Sequence, residues 1–445
     1  MSTAPTLDLA TDEVVEKKVT GGRLRTWWRL PAALTALGLL ALTVFGLLAR
    51  SGQQTGYRIV QEGGWDLGVL PASISLPARA TAIVLSLLAL AIAAAVWALQ
   101  ARRGTPPRRL RAALVVVFGV LWVLAFLTWA VAGAALDLAS LLQVTMILAV
   151  PLAFGALSGV LSERAGVVNI AIEGQLLFGA FGAALIGSLT HSVWLGLLAA
   201  PLMALIMGAL LALFAIGHQV QQIIVGVVLN VLAVGLTSFF FGTVMKQNPQ
   251  LFNTPMRLPV IRIPGLADLP LIGRVLFEQN ILVYLMWIIV AVLTVALFRT
   301  RWGLRVRAVG EHPRAADTMG IAVNRTRWKN VLLGAAVAGL GGAILTLGTG
   351  VAFADNMSAG KGYIALAAMI LGRYHPVGAL AAALTFAFAD ALQLRLGTLP
   401  QGTIGGAIPS EFLLMIPYVV TLFAVAGVVG RVRVPAADGI PYTTQ

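Results

Sequence analysis

The sequence predicts an all-α polytopic membrane protein with about 10–12 transmembrane helices, some of them broken or half-length. Three observations carry this reading. The 445 residues are 59% hydrophobic and 11% charged, with a mean hydropathy of +0.91; soluble domains are nearer a quarter charged. Apolar runs recur at about the 20 residues needed to cross a ~30 Å hydrocarbon core. These runs are continuous, whereas a β-barrel would alternate.

The elements follow in order. Residues 1–29 are polar, and Lys17, Lys18, Arg23, Arg25 and Arg29 lead into the first apolar run. That run, 30–49, is too long for a signal-peptide core and ends in Arg50, so it reads as a retained span. Further runs lie at 78–99, 112–132, 140–161, 170–189, 193–216, 221–243, 281–298, 330–350, 375–394 and 411–430. The stretch 363–372 is about half a membrane thick and is either a re-entrant piece or a buried short helix.

Basic loops orient the spans. "RRGTPPRRLR" (102–111) and the loop 299–329, with Arg299, Arg301, Arg305, Arg307, Arg314, Arg325, Arg327 and Lys329, are both predicted cytoplasmic, as is the N-terminus. The C-terminus follows Arg431 and Arg433 and is cytoplasmic only if 363–372 crosses. The loop 244–280 is predicted extracellular, yet it holds Lys246, Arg257, Arg262 and Arg274 against Asp268 and Glu278. Its five prolines suggest an ordered excursion. The net charge of +14 is read as this inside bias, with no nucleic-acid partner expected.

Several chemistries find no support. The chain has no cysteine, and His191, His218, His312 and His375 have no ligand spacing, so no metal site is expected. "SAGKGY" (358–363) resembles a phosphate loop, but Asp355 stands at the first glycine position and Gly362 at the hydroxyl position. No nucleotide or other cofactor is expected on this chain.

Two polar stretches stand out. "SERAGVVNIAIEG" (162–174) puts Glu163, Arg164, Asn169 and Glu173 between apolar runs. A helix over 169–187 would place Asn169 and Glu173 on one face. A charge at the bilayer centre costs about 2.5–3.5 kcal/mol on insertion scales. The stretch is therefore either a helix break lining a solute path or a connecting loop whose Glu173 pairs with a neighbouring helix. "TGVAFADNMSAGKGYIALAAM" (349–369) is a faint echo of it, with Asp355 before another short helix. The second stretch is "RWGLRVRAVGEHPRAADTMGIAVNRTRWKN" (301–330). Pro313 suits a first helical turn, and "RAADTMG" reads as a short helix ended by Gly320. It is either a docking element or a solvated basic loop. Gln222, Asn230 and Asp390 lie within spans, as interhelical hydrogen-bond partners or as solute contacts.

Three segments together carry a family resemblance: "LSERAGVVNIAIEGQLLFGAFGA" (161–183), "GLRVRAVGEHPRAADTMGI" (303–321) and "GYIALAAMILGRYHPVGALAAALTFAFADALQ" (362–393). In this order they resemble the permease subunits of bacterial ABC importers for branched-chain amino acids, ribose and simple sugars. The first segment is most similar to the purine-nucleoside permeases. The resemblance spans roughly residues 140–430.

It implies a cytoplasmic ABC ATPase that holds ATP and magnesium, a second related permease, an extracellular substrate-binding lipoprotein, and a lipid-embedded site in the bacterial plasma membrane. It implies that 301–329 couples to the ATPase, with Ala315, Ala316 and Gly320 matching the family's Glu-Ala-Ala-x3-Gly pattern. Arg314 stands where that pattern has glutamate, and Glu311 lies three residues earlier. The expected organisation is a tail (1–29), additional N-terminal helices (30–135), a permease core (136–434, coupling loop 299–329) and a cytoplasmic tail (435–445). Glu163, Arg164, Asn169, Glu173, Gln222, Asn230, Asp355 and Asp390 are the candidates for the path or its helix break. The alternative function is ion-coupled secondary transport, for which Glu173 and Asp390 would be the coupling carboxylates.

Overall fold

Several helices here start where a polar side chain satisfies an orphan N–H of the first turn. Asp137 accepts from Ser140 N, Ser192 from Leu195 N, Asn280 from Val283 N, Thr300 from Gly303 N and His375 from Val377 N. The computed structural model describes residues 28–58, 73–103, 107–400 and 433–443, with isolated positions between 403 and 415. The N-terminal tail to residue 27 and most of the expected span 411–430 lie outside the described residues.

The helices are α1 (Arg29–Leu40), α2 (Ala78–Arg103), α3 (Arg108–Ala130), α4 (Leu138–Glu163), α5 (Ile172–Leu189), α6 (Val193–Ala212) and α7 (Gln222–Phe240). They continue with α8 (Pro249–Phe252), α9 (Ile272–Phe277), α10 (Ile281–Arg299), α11 (Arg301–Glu311), α12 (Pro313–Thr318), α13 (Val323–Ala343), α14 (Lys361–Leu371) and α15 (Pro376–Leu396). Wider π-type turns extend α1 to Leu47, α6 to Gly217, α7 to Met245 and α13 to Gly348. Ten helices among the described residues are long and apolar enough to cross a membrane, and α14 is a shorter apolar helix. The chain is thus a multi-pass α-helical membrane protein.

Contacts divide the chain into two units. In the first, α1 and α2 run antiparallel, with Gly38 against Leu90 and Gly46 against Ile83. Phe45 packs among Trp122, Phe126 and Trp129 at 5.2–5.4 Å between ring centroids. The strands β1 (Gln54–Arg58) and β2 (Ser73–Pro77) pair antiparallel, and Thr55 Oγ1 donates to the Thr128 carbonyl at 2.7 Å.

The second unit holds α4 to α15. Its core is α4, α5, α13 and α15, brought close by small residues. Gly179 on α5 would, with a Cβ, meet Gly339 Cα of α13 at 2.7 Å, and Gly342 abuts the Leu176 backbone. Such backbone contact is how apolar helices associate without a hydrophobic driving force.

Glycine contacts also fix the topology. Gly334 lies against Ser158 and Ser162 of α4, and Gly341 against Pro151 and Phe154, so α13 is antiparallel to α4. Gly155 meets Ala365 and Gly159 meets Met369, so α14 runs parallel to the second half of α4. Arg395 at the end of α15 reaches Ser140 at the start of α4, so α15 runs back. In this register Lys361 stands level with Pro151, the middle of α4. The non-helical chain 349–360 therefore descends from the far end of α13 to mid-depth, and α14 completes the crossing. This turn-rich segment and the half-helix together match the length of α4.

The loop 244–280 is ordered as its prolines suggest. It carries α8, α9 and an antiparallel pair, β3 (Val260–Arg262) with β4 (Glu278–Asn280). Arg262 pairs with Asp268, and Arg274 with Glu278 at 3.6 Å. These pairs engage two of the loop's four basic residues.

Replacing Gly342 with valine should push α5 from α13 and lower the melting temperature of the purified protein. Overpacking typically costs about 1–3 kcal/mol. Gly235→Val, at a position open to its surroundings, should leave melting unchanged.

Candidate functional site

The polar stretch begins by stopping a helix. Val167 N donates to the Ser162 carbonyl at 3.1 Å and Gly166 N to the Glu163 carbonyl at 2.9 Å, with Gly166 at φ 83°. This 6→1 and 5→2 pair is a Schellman stop, in which glycine takes the left-handed position. Helix α5 begins only at Ile172, so Asn169 and Glu173 do not share a helical face. The expected helix over 169–187 is corrected by this break.

Non-helical backbone inside a membrane must find partners within the protein. Here two residues of α7 supply them. Gln222 Oε1 accepts from Val168 N at 2.7 Å. Asn230 donates to the Ile170 carbonyl and accepts from Gly174 N, both at 2.9 Å. Asn230 also donates to Tyr363 Oη at 3.2 Å. Asn169 turns the other way. Its amide donates to Ser158 Oγ at 3.1 Å and to Gln175 Oε1 at 3.2 Å, in a buried cluster with Ser162.

Glu173 points to the second break. Its Oε1 accepts from Ser358 Oγ at 2.6 Å and Gly360 N at 2.7 Å, and its Oε2 accepts from Gly362 N at 2.5 Å. Gly360 (φ 82°) precedes α14, and Gly362 has no room for a Cβ against the Glu173 backbone. The carboxylate thus caps the N-terminus of α14, where unpaired N–H groups and the helix dipole favour an anion. The two stretches whose likeness was faint in sequence meet at this point. Asp355, exposed, accepts from Ser238 Oγ of α7. Asp390 on α15 lies within electrostatic reach of Lys361 at the start of α14.

The basic segment forms a second cluster at the end where α4 stops. Gly320 N donates to the Asp317 carbonyl at 2.8 Å and Ile321 N to the Ala316 carbonyl at 3.0 Å, another Schellman stop with Gly320 at φ 77°. Ala316 is buried, whereas Arg314 and Ala315 are exposed and Met319 is 81% exposed. Gly310 packs directly on the Arg164 backbone. Arg164 Nε donates to the Tyr374 carbonyl at 2.9 Å, and Arg164 and Arg307 approach the Phe298 ring at 5.7 and 5.3 Å. Burial pulls the Arg164 guanidinium down from its ordinary value, with Glu311 opposing the shift. Burial, aided by the Glu163 and Asp438 carboxyls, pushes the Tyr374 phenol up.

Arg327 was read as a loop cation, yet it is buried within α13, which starts at Val323 rather than near 330. Ser358, Gln175 and Tyr363 were not singled out by the sequence either, because their partners lie on other elements.

Residues 140–425 match the family described as branched-chain amino acid transport system, permease component. The chain belongs to this permease family. A guanosine ABC transporter permease protein of Bacillus subtilis, NupQ, is 38% identical over 312 residues, 68% of this chain and 97% of that relative. A nucleoside ABC transporter permease protein of Lactococcus lactis, NupC, is 37% identical over 67% of this chain and 94% of its own length. A putative glucose ABC transporter permease protein of Haloferax volcanii, TsgC13, is 34% identical over 64% of this chain and 88% of its own length. No solved structure matches the chain. The permease match includes both helix breaks and the α11–α12 segment.

Glu173→Gln removes one acceptor and sets an amide N–H against a backbone N–H. Each charged hydrogen bond contributes about 1.5–3 kcal/mol, so the melting temperature and transport should fall together. Unchanged melting with lost transport would instead mark Glu173 as a solute contact.

Proposed function

We propose that this permease forms the solute path of an ATP-driven nucleoside importer and couples to a separate ATPase through α12. The exposed pose of α12 carries this reading. A short helix with an exposed Met319 tip stands on α11 and α13, and α11 touches the first helix break at Gly310–Arg164. Displacement of α12 by an ATPase would reach the break through that backbone contact, then Glu173 and α14. The chain contributes a path and a lever and performs no covalent chemistry; ATP and magnesium belong to the ATPase.

The nucleoside assignment follows the guanosine and nucleoside permeases among its relatives. We place α12 and the C-terminal tail on the cytoplasmic side of a bacterial plasma membrane, with the N-terminus on the same side. A second related permease and an extracellular binding lipoprotein complete the assembly. Ion-coupled transport is the weaker reading, because both Glu173 oxygens are engaged by donors of the chain itself.

The test is uptake of labelled guanosine by the assembled complex in proteoliposomes. Uptake should require ATP and be competed by other nucleosides but not by ribose. Gly320→Val places a β-branched residue at φ 77°, a strain of about 1–2 kcal/mol. It should uncouple ATP hydrolysis from uptake. ATP-independent uptake, or normal coupling in Gly320→Val, would overturn the assignment.

A further inference from the structure

The segment 433–443 is tied to the α11–α12 cluster at several points. Ala437 N donates to the Gly310 carbonyl at 2.9 Å, and Ala436 N to Glu311 Oε2 at 3.3 Å. Arg327 Nη1 donates to the Ile440 carbonyl at 2.8 Å. Arg327 Nη2 reaches the Ala437 carbonyl at 3.5 Å. Tyr442 is buried with Val309 of α11, Ala316 of α12 and Val323 of α13, and its hydroxyl donates to Asp317 Oδ2 at 2.8 Å. Helix α12 has six residues. A helix that short has no stability of its own and takes its pose from what packs on it. The aromatic ring from the chain terminus completes that packing.

We propose that residues 433–443 are a strap that sets the pose of α12 and hence the coupling of ATP hydrolysis to transport, with Tyr442 as its positioning residue. This rests on the reading of α12 as the ATPase-docking helix. Whatever force reaches α12 is then shared between α11, which leads to the Arg164 break, and the strap, which leads through Arg327 to α13.

The root of the strap is sensitive to protons. Asp438 faces the Glu163 carboxyl at the end of α4, the Tyr374 phenol between α14 and α15, and the Arg327 guanidinium on α13. Burial pushes the Asp438 carboxyl up to about 7, against a hydrogen bond shared with Glu163 and the charge of Arg327. In a released strap an aspartate has an ordinary value of about 3.9. The docked state therefore binds the extra proton. Docking is strongest below the ordinary value and weakens as pH rises through the window up to about 7.

The experiment measures guanosine taken up per ATP hydrolysed, in the complete complex, for wild type, Tyr442→Phe, Tyr442→Ala and Asp438→Asn. Tyr442→Phe removes the bond to Asp317 and should lower uptake per ATP at unchanged melting temperature. Tyr442→Ala should lower it further while the ATPase still co-purifies. Wild-type coupling should fall as pH rises to about 7, and Asp438→Asn should flatten that profile. Wild-type coupling in both Tyr442 variants, or an unchanged pH profile in Asp438→Asn, would overturn the strap. A wild-type complex without ATP-dependent uptake would overturn the docking reading itself, and the strap with it.

Discussion

The structure depends on one carboxylate at mid-depth. Glu173, in the first turn of α5, receives Ser358 Oγ and the backbone N–H groups of Gly360 and Gly362. A half-length helix cannot begin inside a membrane unless its first N–H groups are satisfied, because hydrocarbon offers no partner. Each buried, unpaired donor costs about 1–3 kcal/mol. Glu173 meets the need of α14, and the same bonds solve the problem of burying an acidic side chain. The two requirements cancel only when the breaks face each other, which is why the halves of the second unit meet there.

Around this contact the remaining polar groups divide into two tasks. Gln222 and Asn230 hold the backbone of 168–174 from α7, while Asn169, Ser158 and Gln175 close a buried network against α4. At the other end, Arg164 joins the first break to the turn after α14 and, through Gly310, to the basic segment. The Gly310–Arg164 contact and the chain 164–173 thus link α12 to Glu173. The broken helices offer hinge positions where a membrane-spanning unit can change shape without unfolding a whole span.

The long spans were legible because about twenty apolar residues leave a helix little choice in lipid. The stop at Gly320 was legible because glycine there carries its own geometry. The start of α5 was not: apolar residues continue through Val167, Val168 and Ile170, and only partners on α4 and α7 hold them out of the helix. Glu173 could be recognised as out of place, but its acceptor role depended on Ser358, 185 positions along the chain. The early start of α13 did leave a trace. Val323, Arg327, Asn330, Val331 and Gly334 follow helical spacing, a pattern masked by the charges that marked the segment as loop. The tail's attachment through Tyr442 left none.

Amide hydrogen exchange at Gly360 and Gly362 tests the central contact most directly. If the Glu173 carboxylate holds the start of α14, both amides exchange slowly in the wild-type protein. Loss of about 1.4 kcal/mol in Glu173→Gln then speeds the Gly362 amide about tenfold, while amides in the middle of α4 keep their rates. Equal rates at Gly362 with and without the carboxylate would contradict the account.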